Sequence, residues 1–235
     1  MDNMQIMEQR VRVRNLIRAG DTEAAIREAE AALRSAEGDV DADIIIGGIL
    51  EVCARINDTI VLARLIAHAS ENLQKRWKDT ELTHADLLLG AACRSGSLDS
   101  VRLIVEVGGA RVDYTSSNGE EQIPLSCACN SGNAELARYL LERGANPNEY
   151  RPKAVSFPLL LAAHAGNLPL VKVLVEHGAA VNGLNPFGLS PLSYALMKND
   201  LDTVAYLRSV GALEPWQIRG EAGPPAPKPK PKKRK

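Results

Sequence analysis

Cysteine and histidine are the side chains best equipped for metal binding and nucleophilic chemistry, and this chain holds four of each. A structural zinc site needs ligand pairs with two to four residues between them and matching partners downstream, and Cys127-x-Cys129, with one, misses that spacing. His68, His84, His164 and His177 are scattered, and none forms an H-x-x-x-H or H-E-x-x-H arrangement. His177 directly precedes Gly178 at an expected helix end, where a partly charged imidazole complements the helix dipole. Cys53, Cys93, Cys127 and Cys129 all fall at small-residue positions of expected helices, Cys93 and Cys129 in the same slot of successive units. Neighbouring stacked helices lie about 8–10 Å apart, whereas disulfide Cα atoms must come within about 7 Å, so buried thiols and a reducing compartment are expected. Ser95-Gly96-Ser97 and Ser131-Gly132 read as turns between helices, with no strand before them to build a nucleophile elbow. Gly47-Gly48 is an isolated dipeptide and not a phosphate loop. Glu23, Glu28 and Glu30 are spread as on a solvated helix face. The reading is therefore of no catalytic, cofactor-binding or metal residues, no cofactor, no small-molecule substrate and no enzyme.

The elements that carry these residues repeat. LLGAACRSGSLDSVRLIVEVGGA, PLSCACNSGNAELARYLLERGAN, PLLLAAHAGNLPLVKVLVEHGAA and PLSYALMKNDLDTVAYLRSVGAL align with Gly96, Gly132, Gly166 and Asn199 in one position. Their spacings are 36, 34 and 33 residues, and twelve residues later Gly108, Gly144, Gly178 and Gly211 are again in register. A period in the low thirties means a solenoid, because one helix pair cannot bury its own apolar face and must stack on a neighbour. Proline suits the first helical turn, where its missing N–H needs no partner. The Gly between helices allows a left-handed turn that a Cβ disfavours. Val101, Val171 and Val204, with Ile104, Leu140, Leu174 and Leu207, give the second helix an apolar stripe at helical spacing.

These motifs resemble the ankyrin family. Pro124-Leu125-Ser126, Pro158-Leu159-Leu160 and Pro191-Leu192-Ser193 stand where the family has T-P-L-H, and Ala128, Ala162 and Ala195 follow at its first Ala position. Gly144-Ala145-Asn146-Pro147-Asn148 and Gly178-Ala179-Ala180-Val181-Asn182 look like its G-A-D-V-N ending. Asn185-Pro186-Phe187-Gly188-Leu189-Ser190-Pro191 is similar to its D-x-x-G-x-T-P hairpin lead-in. The departures are Ile123 and Phe157 at the Thr position, where only Ser190 keeps a hydroxyl, and Ser126, Leu160 and Ser193 at the His position. Apolar packing is expected to replace most of the side-chain hydrogen bonds of that Thr and His.

The fold class expected is all-α: an ankyrin-type solenoid of stacked helix pairs with short hairpin loops, degenerate N-terminal helical units and a disordered basic C-terminal tail. Residues 85–213 hold the four clear units. Shifting the first of them back by 39 places Leu50, Cys53, Asn57, Leu62 and Leu65 on Leu89, Ala92, Gly96, Val101 and Ile104, so 41–84 reads as a degenerate unit plus connector. Residues 1–37 form another helix pair bent at Gly20-Asp21, either a further degenerate repeat or a different, tetratricopeptide-like cap. In the connector Glu71–Thr83, Lys75-Arg76-Trp77-Lys78 is either a seam cover or a small contact patch. Residues 214–235 lose the period and become rich in Pro, Gly and Lys.

Composition is ordinary for a soluble folded protein at 45% hydrophobic and 24% charged, while aromatics are scarce at 4%. No apolar run reaches the roughly 20 residues that span a bilayer, and the first residues lack an apolar signal core, so membrane insertion and export are not expected. The net charge of −1 conceals a division: residues 226–235 carry six Lys or Arg, leaving 22 basic against 29 acidic residues, or −7, elsewhere.

The resemblance implies protein binding on a concave face made of inner helices and hairpin tips. The inner-helix candidates are Arg94, Asn130, His164 and Met197, each two residues before the repeat Gly or Asn, with Ser95, Ser131, Ala165 and Lys198 beside them. The tip candidates are Glu120, Tyr150, Arg151, Lys153 and Phe187, although Tyr150 and Phe187 could instead pack on neighbouring hairpins. The function expected is a non-enzymatic adaptor or inhibitor engaging a partner protein of unknown identity. A second reading makes the tail the effector, with Lys228, Lys230, Lys232, Lys233, Arg234 and Lys235 serving a nuclear import receptor or nucleic acid. The cytoplasm is the expected compartment, and the nucleus if the organism or host has one.

Overall fold

The computed structural model describes residues 3–35, 39–75, 82–114, 123–150, 156–218 and 220. Among them are thirteen helices and no strand: α1 (Asn3–Arg18), α2 (Thr22–Ser35), α3 (Asp39–Ile56), α4 (Thr59–Leu73), α5 (His84–Ser95), α6 (Leu98–Glu106), α7 (Pro124–Ser131), α8 (Ala134–Glu142), α9 (Pro158–Ala165), α10 (Leu168–Glu176), α11 (Pro191–Met197), α12 (Leu201–Ser209) and α13 (Pro215–Ile218). The first twelve form six helix–turn–helix units. The odd-numbered inner helices pack each on the next from α1 to α11, and the even-numbered outer helices do the same from α2 to α12.

One local device makes all six turns. Gly20, Asn57, Gly96, Gly132, Gly166 and Asn199 have positive φ, between 56° and 78°, which reverses the chain after the inner helix. The next residue, Asp21, Asp58, Ser97, Asn133, Asn167 or Asp200, caps the outer helix. Its side-chain oxygen accepts the N–H three residues on, at 3.0–3.2 Å. Such a cap contributes about 1 kcal/mol. The pair α1–α2 uses this turn too, and it packs on α3 and α4 as the later units pack on each other.

The core lies between the two helix rows. Ala92, Ala128, Ala162 and Ala195 are fully buried where inner helices approach, as are Val101, Ile104, Leu140, Val171, Leu174 and Leu207 on the outer ones, with Val204 close to it. Small inner residues and branched outer ones interdigitate, as close packing at native density demands. Pro124, Pro158 and Pro191 each open an inner helix. Ile123 and Phe157 cap α7 and α9 without a side-chain hydrogen bond, and Phe157 is buried, so apolar packing does replace the missing hydroxyl there. Ser190 keeps the polar version, in a capping box with Ser193. At the slot equivalent to Ser193, the buried hydroxyl of Ser126 has no hydrogen-bond partner among the described residues.

Three stretches differ from expectation. Helix α4 runs on to Leu73, so the connector begins later than Glu71. Helix α5 starts a turn before its equivalents because Thr83 and Asp86 form a capping box, Asp86 N donating to Thr83 Oγ1 at 3.2 Å and Thr83 N to Asp86 Oδ2 at 3.0 Å. The same buried carboxylate receives Arg111, its backbone N at 2.8 Å and its Nη2 at 2.7 Å. Asp86 thus fixes the start of one helix and the loop leaving the next. Finally, the aperiodic segment is helical at Pro215–Ile218, because Glu214 caps it and holds Arg208 at 2.6 Å. Trp77 and residues 221–235 lie outside the described residues.

Candidate functional site

Within α5, α7 and α9, burial switches sharply at the C-terminal turn, whereas in α11 Leu196 is already exposed. Cys93, Cys129 and Ala163, three residues before the αL turn, are buried. Arg94, Asn130, His164 and Met197, one residue later, are all exposed, and so are Ser95, Ser131, Ala165 and Lys198 to varying degree. The exposed row follows from packing: its neighbours on the helix are consumed by the adjacent helices, and this position points away from both. Ser95 and Ser131 turn their hydroxyls back onto the Ala92 and Ala128 carbonyls, each at 2.8 Å, leaving the row beside them to present the side chains.

The row changes character along the stack. It begins with a guanidinium at Arg94 and an amide at Asn130, and it ends with an imidazole at His164 and the thioether of Met197, which is 70% exposed. His164 meets the half-buried Tyr194 ring edge to face, centroids 5.3 Å apart at 87°. Tyr194 lies one turn before Met197 on α11, so these three form an aromatic and apolar end to an otherwise polar row. Sequence reasoning singled out His164 and Met197 and missed Tyr194. Its signal was weak, since equivalent positions hold Ala91, Cys127 and Leu161, and only the crossing from α9 to α11 brings it beside His164.

The hairpin tips are partly defined. Asn185 is buried, accepts the N–H groups of Phe187 at 3.0 Å and Leu189 at 2.9 Å, and so builds the turn that Gly188 completes at φ 71°. That turn holds Phe187 outward, 74% exposed. Local packing of Phe187 on a neighbouring hairpin is therefore not what is seen, and Tyr150 is exposed as well. Glu120, Arg151 and Lys153 fall outside the described residues, as do the tail residues Lys228, Lys230, Lys232, Lys233, Arg234 and Lys235.

The seams under this surface are tied by side-chain hydrogen bonds that sequence reasoning did not anticipate. Asn133 Nδ2 donates to the Gly96 carbonyl at 2.9 Å and Asn167 Nδ2 to the Gly132 carbonyl at 2.8 Å, each linking a cap to the preceding turn. Ser97 Oγ bonds Asn57 Oδ1 across the seam before them. A second row sits at the outer-helix ends. Gln74 Nε2 donates to Gly108 O at 2.6 Å, Asn148 Nδ2 to Gly178 O at 3.0 Å, and Asn182 Nδ2 to Gly211 O at 3.2 Å. Asn148 and Asn182 also accept from Ala180 N and Leu213 N, at 2.7 and 2.8 Å. His177 closes α10, its Nδ1 lying 2.8 Å from the Val173 carbonyl. On the outer side Arg143 stacks 3.8 Å over Tyr139 and pairs with Glu106 at 2.7 Å.

All four thiols are buried, as expected from their positions. Burial pushes Cys53 up from its ordinary 9.0 to about 12, and raises Cys93 and Cys129 further. They are held neutral and act as small core residues. No group of three or more His, Cys, Asp or Glu among the described residues has a metal-holding arrangement. No helix among them is long and apolar enough to cross a membrane.

A family model described as ankyrin repeats matches the chain in three copies, over residues 50–151 and 153–215. No curated protein matches it.

Proposed function

The chain belongs to the ankyrin repeat family, whose repeats mediate protein–protein interaction, and from that premise we propose that it acts as a non-enzymatic adaptor or inhibitor that occupies a partner protein's surface. The observation that carries this reading is the row Arg94, Asn130, His164 and Met197. Its members are all exposed at one structural position and differ in chemistry, while Cys93, Cys129 and Ala163, the small residues just before the first three of them, are buried. A scaffold that holds its core slots constant and varies one outward row is built for selective contact. Interface energy concentrates in aromatic and Arg side chains. The partner therefore sets an apolar anchor against His164, Tyr194 and Met197, and acidic or polar groups toward Arg94 and Asn130. Tyr150 and Phe187 with Glu120, Arg151 and Lys153 extend the contact at the tips.

Affinity capture with the full chain identifies the partner, and titration of variants tests the site. His164→Ala with Met197→Ala is expected to weaken partner binding at least about tenfold, the loss of one anchor. Unchanged affinity in that variant and in Phe187→Ala would move the site elsewhere.

The segregation of charge supports a second role for the tail. A body of net charge −7 bearing six clustered cations at its end separates a binding surface from an electrostatic address. In this reading Lys228, Lys230, Lys232, Lys233, Arg234 and Lys235 engage an acidic import receptor or nucleic acid, and direct the protein to a nucleus where one exists. Deleting residues 224–235 should abolish nuclear accumulation and leave partner affinity intact. Identical distribution of the two forms would refute it.

A further inference from the structure

The first helix carries a stripe that the stack does not use. Met4, Met7, Val11, Arg14 and Arg18 follow at alternating intervals of three and four residues, the a/d spacing of a two-helix seam. All five are exposed, Met4 at 71%, Met7 at 58% and Val11 at 39%. Val13 and Ile17 on the opposite side are buried against α2 and α3. The stripe therefore lies on the side of α1 turned away from α2 and α3.

Its charges are uncommitted. Arg10 pairs with Glu51 at 3.7 Å and Arg12 with Glu28 at 3.5 Å, both across to the protein's own helices. Glu8, Arg14 and Arg18 are exposed and have no ion-pair partner among the described residues. One face thus offers an apolar strip, a free carboxylate and two free guanidinium groups six and ten residues further on. That pattern complements itself when reversed.

We propose that α1 is a self-association surface whose occupant is α1 of a second copy, packed antiparallel about a twofold axis at the level of Val11. In that register Val11 meets Val11 of the other copy. Glu8 faces Arg14, and the methylenes of Arg18 cover Met4, each contact occurring twice as twofold symmetry requires. A 16-residue helix is about 24 Å long, so the seam is smaller than a standard stable interface and the dimer is weak and reversible. This inference stands apart from the partner site on the inner helices.

Sedimentation equilibrium of the full chain over a wide concentration range reads it directly. A monomer–dimer equilibrium is expected, shifted at least about tenfold toward monomer by Val11→Asp and by either Glu8→Arg or Arg14→Glu alone. The double exchange Glu8→Arg with Arg14→Glu restores the opposite charges and should recover dimerisation. Unaltered thermal melts of the variants keep misfolding out of the comparison. A chain that stays monomeric throughout, a dimer indifferent to Val11→Asp, or a double variant as weak as the single ones would each overturn the assignment.

Discussion

The side chain of Asn167 serves two units at once: its Oδ1 caps α10 by accepting Leu170 N at 3.1 Å, while its Nδ2 donates to the Gly132 carbonyl at 2.8 Å. Asn167→Ala removes the cap and the link together, and should destabilise the protein by about 1–3 kcal/mol. Asn167→Asp keeps the acceptor and loses only the donor, so it should cost less than Ala. Urea unfolding of the two variants checks the order. If Asp proves as costly as Ala, the seam bond carries more than the cap does.

The turn positions predict opposite signs for two substitutions. Gly96 sits at φ 74°, and a Cβ placed there would meet only the Ser131 side chain, in ordinary contact at 3.4 Å. Gly96→Ala should therefore cost about 1–2 kcal/mol through backbone conformation alone. Asn199 holds the same turn at φ 56° despite its Cβ, and Asn199→Gly should be neutral or stabilising by a few tenths of a kcal/mol. Denaturant midpoints of both read the difference.

Asp86 is fully buried and joins the start of α5 to Arg111. Removing Arg111 strands that carboxylate, and loss of one partner of a buried pair costs about 3–5 kcal/mol. The half-exposed Arg111 softens this, so Arg111→Ala should fall near the lower bound and Asp86→Ala, which also loses the capping box, above it. Thermal denaturation of the pair tests this ranking, and equal losses would contradict it.

The thiols give a pH dependence with a definite sign. Cys53 titrates near 12 in the folded protein against 9.0 when exposed, so the folded state holds its proton more tightly. Its contribution is complete below pH 9 and is lost as pH rises toward 12. Cys93 and Cys129 act in the same direction. Stability should therefore fall across that window, and a variant with Cys53→Ala should lose less of it. In the native protein at neutral pH, thiol-specific alkylation should be slow until denaturant is added; rapid modification would show the thiols to be reachable.

Much of the architecture could be read from residue types because its chief constraint is a backbone angle. Only Gly, or less readily Asn, accepts positive φ in the turn, and that is why Gly96, Gly132, Gly166 and Asn199 keep register. The same logic extends to Asn57 and Gly20. What escaped depended on a second residue far along the chain. Asn133 and Asn167 look like ordinary polar residues after Gly, and their reach to the previous turn needs the stack spacing. The extra turn of α5 is written in Thr83-x-x-Asp86, a capping pair displaced from the repeat register. At the candidate site, exposure of Arg94, Asn130, His164 and Met197 followed from helical geometry. The His164–Tyr194 contact did not, since it is set by two side-chain directions across a seam.

The amide ties between turns are unevenly distributed, and this fixes an order of opening. Caps Asn133 and Asn167 carry N–H donors, but Asp21, Asp58 and Asp200 do not, so that row of ties ends before either terminus. Asn182 compensates at the last seam by holding Gly211 and Leu213. At the first seam, the ties include the exposed pair Arg64–Glu23 at 3.1 Å and the half-buried pair Arg10–Glu51 at 3.7 Å. Surface pairs contribute about 0–1 kcal/mol each. The stack should thus come apart from its N-terminal end, with backbone amides of α1 and α2 exchanging with solvent before those of α7 to α10.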